Sequence, residues 1–175
     1  MEKEKYPSTS DGRYLIINNR KWRKTDPSVP EQLRTQLVAV LMQARRDVAA
    51  ALRMQDKQAE ENARNRVNDA KIALGERGEV WWEPYSDSGL RQRIKSTMLT
   101  LLRQREAGKS ICPSEVARTI GSPDKWRDLM PLVRETAVES AKENVILITR
   151  GDKVLDPDAL GKGHLRLRHG EKFAE

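Results

Sequence analysis

The chain has 175 residues, of which 34% are charged, 37% hydrophobic and 5% aromatic, and its 33 Lys and Arg against 26 Asp and Glu give a formal charge of +7. That length can bury a core as one domain or two small ones, and apolar residues in periodic runs exclude full disorder. No apolar stretch approaches the roughly 18 residues of a membrane span, the start MEKEKYPSTS has no signal-peptide h-region, and one cysteine, Cys112, excludes an internal disulfide framework and a Cys-rich zinc site. The composition predicts a small, basic, soluble, cytoplasmic protein that crosses no membrane.

Residues 1–10 are polar and read as a frayed end. Tyr14 to Ile17 is a short β-prone run, Asn18-Asn19 suits a tight turn, and Lys21 to Arg23 can return as a second strand. Asp26-Pro27 stops this hairpin. Ser28, followed by Pro30 and Glu31, has the pattern of a helix N-cap. Glu31 to Leu74 contains neither Gly nor Pro. Leu37, Leu41, Ala44, Val48 and Ala51 keep a 3–4 spacing, but its continuation lands on Gln55, Gln58, Asn62, Asn65 and Asp69. A second register, Ala59, Ala63, Val67, Ala70 and Leu74, starts on another phase. One continuous helix would lose its apolar seam. The pattern predicts a helical hairpin, 29–54 and 57–74, turning near Gln55-Asp56 and stopped by Gly75. Val80-Trp81-Trp82 is expected as a short strand, with Trp22, Trp81 and Trp82 packing the β-hairpin against the helices. PYSDSG, from Pro84 to Gly89, has the composition of a linker.

Leu90 to Arg105 is an amphipathic helix with Ile94, Met98, Leu101 and Leu102 on one face. Gly108 ends it. Ser110-Ile111 can make one β-bridge. Pro113 to Ile120 is a short helix stopped by Gly121. Ser122-Pro123-Asp124 opens another, with Trp126, Leu129, Met130, Val133, Ala137 and Ala141 inward. Pro131 should kink it or start a new segment there. Val145 to Thr149 is a strand turned by Arg150-Gly151-Asp152. Leu165 to Arg168 alternates and is a second strand. Helix, bridge, short helix, turn, longer helix, strand, loop and strand is the order of a winged helix-turn-helix.

The predicted fold is therefore mainly α with small β elements. A β-hairpin and helical-hairpin module over 1–83 joins, through a linker at 84–89, a winged-helix domain over 90–168 and a tail at 169–175. The strings ICPSEVARTIG, WRDLMPLVRETA, ILITRGDKVLDP and GHLRLR lie within about 90–168. With them that segment resembles a bacterial family, domain of unknown function 3253. The resemblance implies a winged-helix fold and no established activity. Trp22-Arg23, Thr25-Asp26-Pro27, Ala44-Arg45-Arg46 and Ala70 to Trp82 are similar to a pattern of short uncharacterised bacterial proteins, which implies no function either.

Charge divides evenly. Residues 1–84 carry 16 basic and 13 acidic side chains, and residues 85–175 carry 17 and 13. A DNA-reading helix needs a basic outer face. Residues 124–143 instead set Lys125, Arg127, Arg134 and Lys142 against Asp124, Asp128, Glu135, Glu139 and Glu143, and acids beside phosphates forfeit the counterion-release term. The wing is more basic. Arg150, Lys153, Lys162, Arg166 and Arg168 outnumber Asp152, Asp156 and Asp158, with Lys109 and Arg118 flanking. His164 and His169 add partial charge at low pH. Arg20, Lys21, Arg23 and Lys24 around Trp22 form the densest basic cluster. Such a cluster can grip single-stranded nucleic acid, but a scarce aromatic is expected to pack inward. Of Arg45-Arg46, on a helix that also carries Asp47, one arginine is expected to pair locally and neither is required for function.

Catalysis finds no constellation. Both histidines sit in the last twelve residues, and Cys112, before Pro113, reads as a buried small hydrophobe. No phosphate loop or dinucleotide fingerprint is present, and no cofactor or metal is expected. The sequence favours a non-enzymatic protein-docking module. Its alternative is nucleic-acid binding through phosphate contacts from the wing and the N-terminal basic cluster, with little base readout.

Overall fold

The computed structural model describes residues 6–174. Asn18 (φ 50°) and Asn19 (φ 58°) both adopt the left-handed conformation. A two-residue hairpin turn with positive φ at both centres matches the twist of its strands. The turn joins β1 (Tyr14–Ile17) to β2 (Arg20–Arg23) and pairs Leu15 with Trp22. Part of the stretch expected to fray is tied down. Ser8 bridges to Leu15, and Ile16 donates to the Pro7 carbonyl; residues 1–5 lie outside the described residues.

The helical hairpin forms as the two apolar registers require. α1 (Glu31–Met54) and α2 (Lys57–Ala73) are separated by Gln55, whose φ is 56°, and by Asp56, which caps α2 by accepting from the Ala59 N–H. α1 contributes Leu33, Leu37, Leu41 and Ala44 to the seam, while α2 contributes Ala63 and Ala70, all buried. Alanine on one side lets the helix axes approach closely. The start differs from the expected cap. Pro30 precedes α1 without a side-chain bond, and the Ser28 hydroxyl and N–H both donate to Asp26 Oδ1. The buried Asp26 carboxylate takes those donors.

Val80-Trp81-Trp82 is a turn, not a strand. The Ser8 bridge already meets β1, and the indoles settle by other contacts. Trp81 Nε1 donates to the Lys24 carbonyl, and the Trp82 ring meets Tyr14 and Trp81 edge-on at 5.7 and 5.0 Å. Trp22 does not pack inward: it is 43% exposed. The hairpin register sets it over Lys71, with Nζ 5.2 Å from the ring centroid. α3 (Asp87–Arg103) opens inside the stretch expected as a linker, because Ser86 caps it by accepting from the Gly89 N–H.

α3 is the element both halves share. Ile94, Met98, Leu101 and Leu102 are fully buried, in one cluster with Leu37, Leu41 and Leu74 from the first half and Val116, Val133, Ile148 and Leu167 from the second. Burying each such side chain is worth about 1.5–3 kcal/mol. Beside the apolar stripe, Arg93 enters the protein. Its Nη2 lies 2.9 Å from Asp26 Oδ2, its Nη1 donates to the Tyr85 hydroxyl at 2.6 Å, and Nη2 also reaches the Ala73 carbonyl. Only 2% of the Arg93 side chain and 6% of that of Asp26 are exposed. Gly75 closes over this pair at φ +77°; a Cβ there would lie 3.0 Å from Asp26 Cβ. Asp69 makes a second tie, accepting from Ser96 and Arg103.

In the second half, Ile111 bridges to Leu167 and Cys112 leads into α4 (Pro113–Ile120), where Glu115 accepts the Cys112 N–H at 2.7 Å. Gly121 ends α4 where only glycine fits, since a Cβ would come within 2.6 Å of Trp126 Cα. The helix expected from Ser122 is divided into a short 3-10 helix, Trp126–Leu129, and α5 (Met130–Lys142). Pro131, without an N–H, fits only the first turn of the new segment. β3 (Ile146–Arg150), β4 (Lys153–Val154) and β5 (Arg166–His169) form an antiparallel sheet in the order β4-β3-β5. The expected strands are displaced by one residue. His169, expected in the tail, belongs to β5, stacks on Phe173 and sets Nε2 2.8 Å from the Leu102 carbonyl.

Two outcomes follow from the buried pair. Arg93→Met strands the Asp26 carboxylate and should lower unfolding stability by about 3–5 kcal/mol, read by urea denaturation. Burial, opposed by Arg93, holds the Tyr85 phenol above its ordinary value of 10.0. The folded state thus favours neutral tyrosine, and the unfolded state ionises first. This contribution is complete below pH 10 and is lost as pH rises above it, so comparison with Tyr85→Phe should show a steeper alkaline decline for the parent.

Candidate functional site

The eleven cations singled out from sequence do not converge, and several hold the fold together. Arg23 Nη1 donates to the carbonyls of Gly78 and Glu79 at 2.9 and 3.2 Å, and reaches Gly75. Arg166 grips Ser110 twice, through its hydroxyl at 2.9 Å and its carbonyl at 3.0 Å, which locks β5 to the start of α4. Arg168 is drawn to the Gly151 carbonyl and Asp152, and Arg150 donates to the Leu160 carbonyl of the β4–β5 loop. Lys24 lies beside the Trp81 contact. Arg118 is exposed, with its guanidinium 4.6 Å from the Trp126 ring centroid. Arg20, Lys21, Lys109, Lys153 and Lys162 are exposed on turns and strand edges.

The acids of α5 are also accounted for. Arg91 of α3 spans Glu135 and Glu139 at 3.0 and 3.1 Å, and Lys95 meets Glu143 at 2.8 Å. These acids form one stripe at 3–4 residue spacing, so they meet the parallel stripe on α3. Lys142 is bound to Asp158 of the β4–β5 loop, which holds its ammonium above the ordinary lysine range. Arg46 is the arginine that pairs locally, though not with Asp47. Arg46 donates to Gln43, and Asp47 crosses to Arg66 of α2 at 3.1 Å. Cys112 is half-buried, and its Sγ accepts from the Ser114 hydroxyl. His164 is exposed in the β4–β5 loop. Among the described residues, no group of three or more His, Cys, Asp or Glu side chains gathers as metal ligands, and no helix is long and apolar enough to cross a membrane.

Two of the concave surfaces combine tryptophan with arginine. The first, about 440 Å³, lies where the N-terminal turn of α1 meets the α4 corner. Leu33, Pro123 and Trp126 line it, with Arg118 at its edge. Arg127 also lies over Trp126, 4.5 Å from the centroid. Arg105 anchors the corner by donating to Gln36 of α1 and Glu115 of α4. The second, about 660 Å³, lies between β2 and α1 and carries Trp22, Arg34, Met42, Arg45, Lys71 and Glu76. Sequence reasoning missed Lys71 and Arg93. A signal existed for Lys71, which continues the spacing Val67, Lys71, Leu74 of a buried face. Nothing local marks a buried arginine, whose partner lies 67 positions away.

Mainly helical, with one two-stranded and one three-stranded sheet, the chain places a compact helix-and-sheet unit after a hairpin module. Residues 91–170 match the family described as "Protein of unknown function (DUF3253)". No curated protein matches the chain.

Arg166 and Ser110 provide a direct check on which cations of β3 to β5 are structural. Arg166→Ala leaves the Ser110 carbonyl and hydroxyl without their donor. It should lower stability by about 1–3 kcal/mol in urea denaturation, whereas Lys162→Ala should change it by under about 0.5 kcal/mol.

Proposed function

We propose that residues 87–169 form a winged helix-turn-helix that serves as a non-enzymatic protein-docking module. The fold reading is supported by the order α3, bridge, α4, α5, β3, β4, β5, and by Ile111 pairing with β5 on the side away from β3. The docking surface is the corner where Trp126 lies under Arg118 and Arg127, beside the apolar hollow of Leu33 and Pro123. Aromatic and arginine side chains at a partly desolvated hollow are the residue types that carry binding energy in protein interfaces. The matching partner is an acidic segment with one apolar anchor. The closed α5 stripe argues in the same direction. α5 carries Arg134 and Lys142 against Glu135 and Glu139, so it offers no net positive charge to a DNA groove.

Phosphate binding is the second reading, favoured by Lys153 and Lys162 on the wing and by Arg20, Lys21 and Lys109, whose side chains have no hydrogen-bond or ion-pair partner among the described residues. One pair of measurements separates the two. Docking predicts no mobility shift of a duplex at low salt, and a crosslinked protein partner whose yield falls at least about tenfold with Arg118→Ala/Arg127→Ala. A salt-steep duplex complex abolished by Lys153→Ala/Lys162→Ala overturns docking in favour of phosphate contacts.

A further inference from the structure

The groove between β2 and α1 sets a buried cation beneath an exposed indole. Its floor is Lys71, whose side chain is only 10% exposed and lies 3.6 Å from Glu76 Oε2. The Trp22 ring stands over the ammonium at 5.2 Å and is itself 43% exposed, and Met42 beside it is 38% exposed. Arg45 and Arg34 stand at the groove, Arg34 paired with Glu31. Glu76 is the one acid lining it among the described residues, and its second oxygen accepts from the Thr25 hydroxyl at 2.8 Å.

Among the described residues the groove brings Arg34, Arg45 and Lys71 together against one lining acid, Glu76. Burial and the like charges of Arg45 and Arg77 hold the Lys71 ammonium below its ordinary range, while Glu76 alone pulls it back. A lysine crowded by two arginines gains most from an anion entering the groove. A phosphate brings the needed charge and several strong acceptors. The indole asks for something further, since an exposed tryptophan beside cations is a stacking platform for a flat ring. The volume of about 660 Å³ is that of a small-molecule site rather than of a protein interface.

We propose that this groove binds a nucleoside phosphate, with the base stacked on Trp22 and the phosphate held by Lys71 and Arg45. The site lies on the hairpin module and does not depend on the docking role of residues 87–169. Its ligand chemistry has two sources, a free nucleotide or one unit of a single strand.

Tryptophan fluorescence of the full chain tests it, with AMP, adenosine and a short oligoadenylate as probes. AMP should cause a saturable change that disappears in Trp22→Phe. Exposed Arg45 can be replaced without disturbing the core, and Arg45→Ala should weaken AMP about tenfold, the loss of one charge-assisted contact. Adenosine, lacking the phosphate, should bind at least about tenfold more weakly than AMP for the same reason. Equal affinity for AMP and oligoadenylate identifies the free nucleotide as the source, and a much tighter oligoadenylate identifies the strand; either supports the site. No saturable change with AMP or oligoadenylate at millimolar concentration overturns the proposal. So does a change that persists in Trp22→Phe or is equal for AMP, adenosine and Arg45→Ala.

Discussion

Asp26 and Arg93 meet where almost no water reaches either side chain, 2.9 Å apart. A buried ion pair contributes little net stability against an apolar substitute, yet breaking it leaves a charge that the interior cannot tolerate. That asymmetry makes it a constraint on arrangement. Asp26 sits in the turn between hairpin and α1, and Arg93 belongs to the helix that starts the second half. The carboxylate also fixes the entry to α1 through Ser28, and the guanidinium fixes the loop before α3 through Tyr85. Gly75 is required because the chain passes directly over the pair. The two halves are thereby held in a single relation, and one apolar cluster runs through both.

The relation has consequences for charge. A formal +7 suggests a surface looking for polyanions, but much of the arginine is directed inward. Arg23, Arg93, Arg103, Arg105 and Arg166 each hold a carbonyl or carboxylate between separate elements. Arginine suits this use because its planar fork can satisfy several acceptors at once. The lysines, as compact hydrated charges, stay mostly at the surface; Lys71 is the exception.

Both concave surfaces exist because of packing between elements distant in sequence. The Trp126 hollow needs α1 from one half and α4 from the other. The Trp22 groove needs a hairpin register, a face of α1 and a lysine late in α2. Each is bordered by arginine and an aromatic ring, yet their chemistry differs. The first sets Leu33, Pro123 and Trp126 beside the polar side chains of Gln32, Gln36 and Glu115. The second has a buried cation at its floor.

The sequence by itself determined the local elements. Asn18-Asn19 specified a two-residue hairpin, the change of apolar phase at Gln55 specified two helices, and Gly121 and Pro131 marked real boundaries. These are properties of a few neighbouring residues, readable from backbone preference and periodicity. The tertiary structure decided which charges are free. Arg166 and Lys162 look alike in a string, but one is locked onto Ser110 and the other is exposed. It likewise decided that Trp22 stays at the surface while Arg93 is buried, and that Val80 to Trp82 makes no strand. The reason is physical: an ion pair, a stacking contact or a sheet edge depends on partners tens of residues away, and their positions exist only once the chain has packed.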